Sequence, residues 1–287
     1  MLYPIQFETD RAPLLVDIPD GTEPAYCARV ALETAIGDKA DLTGATLTGA
    51  DLAWTTLADA RLTGANLTRA DLAGSTLTGA DLTGATLSGA RLADAWMAGA
   101  TLSGARLTGA RLTGATLIET DLSWAQLTAA NLTKADLTGA NLTGADLAWT
   151  TLADARLPGA TLTGANLTGA RLARAIFSPP DHPSWAPIRA DLARVLDQAQ
   201  PEIPALLAAL RAGRVDGSAY NRNGCGCLCG TIAIARGVKA QTLPFVDSYS
   251  PVERFFYGIS LGDTPATNPL ARIVQAWILT YQVEHRV

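Results

Sequence analysis

Residues 140–157 read ANLTG ADLAW TTLAD ARL. Leu142, Leu147, Leu152 and Leu157 hold the third place of each five, and Ala140, Ala145, Thr150 and Ala155 hold the first. Outward from here, Leu recurs at every fifth position from Leu42 to Leu172, with Met97 the one substitution and Phe177 on the next place. Two residues before it, Ala fills 24 of the 28 places from Ala40 to Ala175; Thr55, Ser75, Thr120 and Thr150 fill the others. The residue just before the Leu is polar. The residue after it is often Thr, and the next is very often Gly.

A period of five suits neither regular element. On a helix it advances about 500°, so the Leu side chains would smear around the barrel. On a straight strand an odd period sends alternate Leu to opposite faces. The conflict disappears if the chain turns a corner in every repeat. Ala and Leu, two apart, then point to the same side of a short extended segment, and the Gly supplies the unusual φ of the corner. Four corners close a coil of twenty residues. Twenty-eight repeats make about seven coils, a rod roughly 34 Å long at the inter-strand spacing.

The pattern, seen in ANLTG (Ala140–Gly144) and in the ADL of Ala50–Leu52, resembles the pentapeptide-repeat proteins. The resemblance implies a mainly β fold, a right-handed quadrilateral β-helix with Leu and Ala inside. It also carries functional expectations. The best-studied members resemble B-form DNA and bind DNA gyrase and topoisomerase IV, inhibiting them or protecting them from quinolones. Members commonly pair as homodimers through large aromatics at the Leu position near one end, and Phe177 is the one aromatic there.

Composition limits these expectations. Hydrophobic residues make up 48% but aromatics only 6%, so the core is built from small aliphatics. The net charge of −5 gives no broad basic field, and direct nucleic-acid binding is not expected. Residues 38–177 hold twelve acids and ten bases. DNA mimicry needs about one negative charge per 1.7 Å of duplex, which this balance does not approach. The repeat also runs without the projecting loop often found in gyrase-protecting relatives. An ice-binding face would need unbroken Thr, but the column Thr56, Thr76, Trp96, Thr116, Asp136, Arg156 is interrupted.

Residues twenty apart should stack. One column reads Asp41, Arg61, Asp81, Thr101, Asp121, Asn141, Thr161, a self-complementary ladder. Another reads Asp51, Asp71, Arg91, Arg111, Asn131, Thr151, Arg171, placing Arg91 beside Arg111 with Arg106 round the next corner. Arg91, Arg106 and Arg111 read either as an interaction patch for an acidic partner or, more plainly, as a solvated face paired locally, with Asp94 and Glu119 as the acids that could relieve the like charges. The segment ADLAWTTLADARL occurs at Ala50–Leu62 and again at Ala145–Leu157, an offset of nineteen repeats. Because nineteen is not a multiple of four, Trp54 and Trp149 should lie on adjacent faces.

The period divides the chain into an N-terminal cap (1–37), the solenoid (38–178) and an α-helical C-terminal domain (179–287). In the cap, 5–8 and 14–18 read as strands, and Thr22 as the N-cap of a helix reaching about Ile36. Beyond the boundary SPPDHPSWAP, helices are expected over 188–198, 202–212, 227–236, 251–261 and 268–283, with Phe255, Phe256, Tyr257 and Trp277 in their core. Through CGCLCGTIAIARG and PVERFFYGISLGDTP this tail is similar to C-terminal regions of phage and prophage pentapeptide-repeat proteins, which brings no activity with it.

Cys225, Cys227 and Cys229 form the sharpest local motif. Three thiols could hold Zn²⁺ or Cu(I) with a fourth ligand, or Cys225 could be a reactive thiol, but no second CxxC knuckle exists and only His182 and His285 offer imidazoles. Small buried residues are the plainer reading. No phosphate loop or Ser/His/Asp set is present, so neither catalysis nor a cofactor is expected. With no membrane-length apolar run, no signal-peptide pattern and no disulfide framework, the expected location is cytoplasmic. The expected function is a non-catalytic protein-interaction scaffold; the alternatives are a DNA-mimic modulator of a type II topoisomerase and a metal- or thiol-dependent C-terminal domain.

Overall fold

The computed structural model describes residues 1–7, 12–215, 228–237, 243, 250–256, 258, 259 and 261–285. Parallel bridges join residues twenty apart throughout the repeat, from Asp41↔Arg61 to Thr151↔Arg171, and end in the paired strands β3 (Arg156–Leu157) and β4 (Ile176–Phe177). The chain therefore completes one coil every twenty residues, with four columns of polar residues facing outward. Apart from Phe177, residues at the Leu position are buried, as are Ala, Thr or Ser two places earlier from Ala45 onward, except half-buried Ala50. The backbone is paired in a repeating way. Leu92 N–H donates to Arg111 O at 2.7 Å, Arg91 N–H to Ala70 O at 2.9 Å, and Ala95 N–H to Leu92 O at 3.2 Å closes the corner. The buried hydroxyls of Ser75, Thr120 and Thr150 donate to the carbonyls of Leu72, Met97 and Leu147.

Every corner turns through a residue of positive φ two places after the Leu. Gly holds most corners, but Trp54, Asp59, Arg69, Asp94, Glu119, Trp124, Ala129, Lys134, Trp149, Asp154 and Arg174 adopt φ of 55–60°. A side chain in this region costs about 1–2 kcal/mol. The next coil accommodates most of these side chains in one of two ways, Ala129 and Lys134 being followed instead by Trp149 and Asp154. Trp54, Asp59, Arg69, Asp94, Glu119, Trp124 and Trp149 are each followed twenty residues on by Gly. Asp154 instead meets Arg174, with Nε–Oδ1 at 2.6 Å; this hydrogen-bonded partner, with Lys134 in the preceding coil, holds the Asp154 carboxyl below its ordinary range.

Gly169 (φ +65°) shows what such a pairing requires, because Cδ2 of Trp149 lies 2.8 Å from where its Cβ would be. Gly84 (φ +64°) has nothing within 4 Å of that position. Urea melts of Gly169→Ala and Gly84→Ala separate the two costs. Gly84→Ala should lose only the backbone term, about 1–2 kcal/mol. Gly169→Ala should lose measurably more and shift indole emission, because the Trp149 ring must move.

The N-terminal end is covered by the hairpin β1 (Leu2–Ile5)–β2 (Leu14–Asp17) and helix α1 (Cys27–Gly37). The hairpin docks through the antiparallel bridge Phe7↔Ala45 and through Thr46 N–H to Gln6 O at 2.7 Å. The first strand starts earlier than expected, because pairing of Leu2 with Asp17 sets its register. Thr22 does not cap α1; its hydroxyl donates to Pro19 O, and Pro24–Tyr26 forms a tight 3₁₀ turn before the helix. Glu33 of α1 accepts from Thr56 N–H at 3.2 Å, tying the helix to the first coil.

The C-terminal segment holds α2 (Ala186–Asp197), α3 (Ile203–Arg211), α4 (Leu228–Arg236), α5 (Pro251–Phe256) and α6 (Pro269–His285). An aromatic cluster joins it to the rod. The Trp185 ring lies 6.0 Å from Phe177, 5.5 Å from Phe255 and 5.9 Å from Trp277, centroid to centroid. Arg254 donates to Gly164 O at 2.7 Å, and Gly258 lies against Leu167 and Leu172. One continuous buried core runs from Ile5 through the coils to Tyr281. Tyr257, expected in that core, lies outside the described residues.

Candidate functional site

The corner between the second and third polar columns gathers Arg69, Arg91, Arg106 and Arg111. Its edge runs Gly49, Arg69, Gly89, Gly109, Ala129, Trp149, Gly169. Arg91 and Arg111 are direct bridge partners on one side, and Arg106 stands on the other side, five residues before Arg111. All four arginines are exposed.

Arg91 is relieved, though not by the corner acids. Its Nε lies 3.5 Å from Oδ2 of Asp71, the preceding residue of its own column. Asp94 and Glu119 instead lean along their edges toward Gly114 and Gly139 of the next coil. Among the described residues neither Arg106 nor Arg111 has a carboxylate within ion-pair reach. Their ladder neighbours are Thr86 and Gln126 for Arg106, and Arg91 and Asn131 for Arg111. Two guanidiniums thus flank the bare Gly109 corner, and their N–H groups can receive carboxylate or phosphate oxygens in bidentate fashion.

The first column behaves differently. Asp81 sits between Arg61 and Thr101. The Thr83 hydroxyl and amide, then Thr63 and Arg61, hold its carboxyl below its ordinary range. That face satisfies itself internally.

The other sequence candidates bring little together. Cys229 is buried on α4, while Cys225 and Cys227 lie outside the described residues, so the CxCxC motif is not placed. Among the described residues no group of three His, Cys, Asp or Glu could hold a metal ion. Cys27 is buried with Sγ 3.5 Å from Glu23 O. His182 Nδ1 bonds Ser184, and His285 Nδ1 lies 3.0 Å from Tyr281 O. An open groove of about 450 Å³ between α2 and α6 is lined by Arg189, Ala190, Ala193, Trp277 and Tyr281. Its aromatic polar atoms are already used. Tyr281 Oη donates to Asp197 and Trp277 Nε1 to Pro180 O, both at 2.6 Å. Phe177 packs on Trp185, so helices cover the end where a second copy was expected to pair.

Sequence reasoning placed Trp54 and Trp149 on adjacent faces and Trp96 in the fourth column, but assigned no role to them or to Trp124, the four exposed tryptophans of the rod. The first, third and fourth stand on corners, and Trp96 stands within the fourth column between Thr76 and Thr116. The available signal was Trp at a corner place with Gly twenty residues later. Among the described residues no helix is long and apolar enough to cross a membrane.

A family model described as pentapeptide repeats matches over residues 25–64, 38–72, 65–104, 105–144 and 140–178, more than half of the chain. Among solved structures, the pentapeptide repeat protein Rfr23 from the cyanobacterium Cyanothece 51142 is 36% identical over 31% of this chain and 56% of its own, with a TM-score of 0.24. HetL from Nostoc sp. strain PCC 7120, involved in heterocyst differentiation regulation, is 32% identical over 48% of this chain and 80% of its own, with a TM-score of 0.18. QnrB1, a plasmid-mediated fluoroquinolone resistance protein, is 24% identical over 46% of this chain and 64% of its own, with a TM-score of 0.32. The chain thus spans little more than half the length of Rfr23. No curated protein matches it.

Proposed function

The chain belongs to the pentapeptide-repeat family, and we propose that it is a non-catalytic scaffold whose right-handed quadrilateral rod, capped at both ends, docks an acidic segment of a protein partner on the Arg106–Arg111 corner. The observation that carries this reading is that Arg106 and Arg111 flank one bare glycine corner and, among the described residues, neither has an ion-paired carboxylate, whereas Arg91, Arg156 and Arg174 each have one. Unpaired guanidiniums on a rigid edge lose little freedom on binding and favour acidic oxygens. Mimicry of DNA by the whole rod is less well supported. Arg61 interrupts the acidic first column, and Arg91, Arg111 and Arg171 occupy the third.

A labelled hexaglutamate peptide provides the test, read by fluorescence anisotropy. It should bind the full chain at about 50 mM salt and weaken as salt rises to about 300 mM, as exposed charges are screened. Arg106→Glu/Arg111→Glu should weaken it at least about tenfold, roughly 1.4 kcal/mol, without changing the melt. Equal binding by the variant, or tighter binding of an oligonucleotide of the same length, would overturn the reading.

A further inference from the structure

We propose that the tryptophans at three corners, Trp54, Trp124 and Trp149, are stacking platforms for the sugar rings of a neutral polysaccharide. Bulky aromatics are rare at positive φ; every corner of this rod takes that conformation, but only these three place an indole there. Here φ is +60°, +59° and +59° at corners where the rest of the chain mostly uses Gly.

Each indole is held in the same way. An added Cβ on Gly74, Gly144 or Gly169 would fall against the six-membered ring of Trp54, Trp124 or Trp149, with Cδ2 at 2.8 Å in all three cases. One face of the ring therefore lies on glycine backbone. The other is open, and the residues are 70%, 67% and 64% exposed. A ring fixed flat with one free face has already lost the freedom that binding would otherwise remove.

The surroundings recur too. Three residues before each Trp stands an aspartate, Asp51, Asp121 or Asp146, whose Oδ1 accepts the amide of the residue preceding the Trp. In the next coil the equivalent places hold Asp71, Asn141 and Asn166; the two Asn amides donate to Asp121 and Asp146 at 3.0 and 2.9 Å. Two residues after each Trp stand Thr56, Gln126 and Thr151. A carboxylate stands three residues before every platform, and at Trp54 and Trp124 this disfavours nucleic acid and acidic glycans; at Trp149 the bridge partner of Thr151 is Arg171. A neutral sugar ring fits this chemistry, laying its C–H face on the indole and its hydroxyls toward carboxylate, amide and threonine.

The placement indicates a polymer. Trp54 and Trp124 are seventy residues apart, three and a half coils, and so occupy diagonally opposite edges; Trp149 follows one coil and one corner later. These positions cannot close one pocket. Trp124 and Trp149, one coil and one corner apart, suit successive stretches of a ligand that repeats, and Trp54 on the opposite edge takes a separate stretch, so that only a long polymer gains avidity from all three.

The test immobilises the full chain for biolayer interferometry against dextran, galactomannan, xyloglucan and mixed-linkage β-glucan, in about 0.5 M salt to screen ionic contacts. At least one should bind. Each single variant, Trp54→Gly, Trp124→Gly and Trp149→Gly, should weaken it several-fold, and the triple variant should abolish it. Glycine is the residue these corners otherwise carry, so melting and circular dichroism should show folded variants. Failure of all four polysaccharides, undiminished binding by the triple variant, or capture of a lysine-rich peptide at low salt only would overturn the proposal. Hexaglutamate binding at Arg106 and Arg111 is read separately and stands or falls independently.

Discussion

Deleting Gly109 alone will cost the chain its cooperative fold beyond the fourth coil, whereas deleting all twenty residues 125–144 will leave a folded, shorter rod. After the single deletion, the thirteen leucines from Leu112 to Leu172 each move one place and face solvent. Burying one leucine is worth about 1.5–3 kcal/mol, so the displaced set outweighs a whole domain's stability of about 5–15 kcal/mol. The alternative, a four-residue side, breaks the ladder at Gly109 N–H to Thr128 O and at Gly89 N–H to Thr108 O. The twenty-residue deletion removes one turn and restores every phase. Leu stays inside, and Trp124 meets Gly164 in place of Gly144. In a repeat array each coil contacts only its neighbours, so the loss is one coil's increment. Far-UV circular dichroism melts should show a transition within several degrees of the parent for residues 125–144 removed, and a broad, early or absent one for Gly109 removed. Equivalent melts for the two would mean that the coil is not the unit of stability.

That asymmetry reflects what could be read from residues alone. The period, the stacking of residues twenty apart and the placement of Trp54 and Trp149 on adjacent corners follow from counting, because the coil has one length throughout. The helical tail was also legible, since Pro183, Pro187 and the apolar spacing of Ile188, Leu192 and Val195 mark a helix start and a buried face. What counting could not supply was the lean of a corner side chain. Asp94 and Glu119 are near Arg91 and Arg111 in sequence, and were the acids that could have relieved them. A residue at φ near +56° sends its side chain along the edge instead, toward the glycine of the next coil. Asp71, twenty residues before Arg91, makes the pair. The same lean lays three indoles onto glycine. The reading of Thr22 as the N-cap failed for a different reason: Pro24 tightens the chain into a 3₁₀ turn before the helix, so the position next to a helix signal was not the cap.

Trp185→Ala will separate the two ends of this architecture. Trp185 is fully buried, and its ring contacts are Phe177 at the end of the rod and Phe255 and Trp277 from α5 and α6. Truncating a buried aromatic of this size costs about 3–5 kcal/mol. Most of that loss falls on the junction, because the ring's aromatic partner on the rod is Phe177, at the rod's last place. The ladder from Asp41 to Thr151 has its own backbone bonds and its own Leu/Ala core, so it should outlast the helices. Hydrogen exchange should show α2, α5 and α6 losing protection while the amides of Leu92 and Leu112 keep theirs, and Trp185→Phe should restore most of the difference. Uniform loss along the chain would instead mean that rod and helices fold as one unit. Release of the helices has a further consequence. The contacts of Gly258 with Leu167 and Leu172 go with them, uncovering the unpaired edge of the last coil, and an exposed edge invites pairing with another chain. The variant should therefore gain a concentration-dependent, oligomeric fraction in sedimentation velocity at temperatures where its rod amides are still protected.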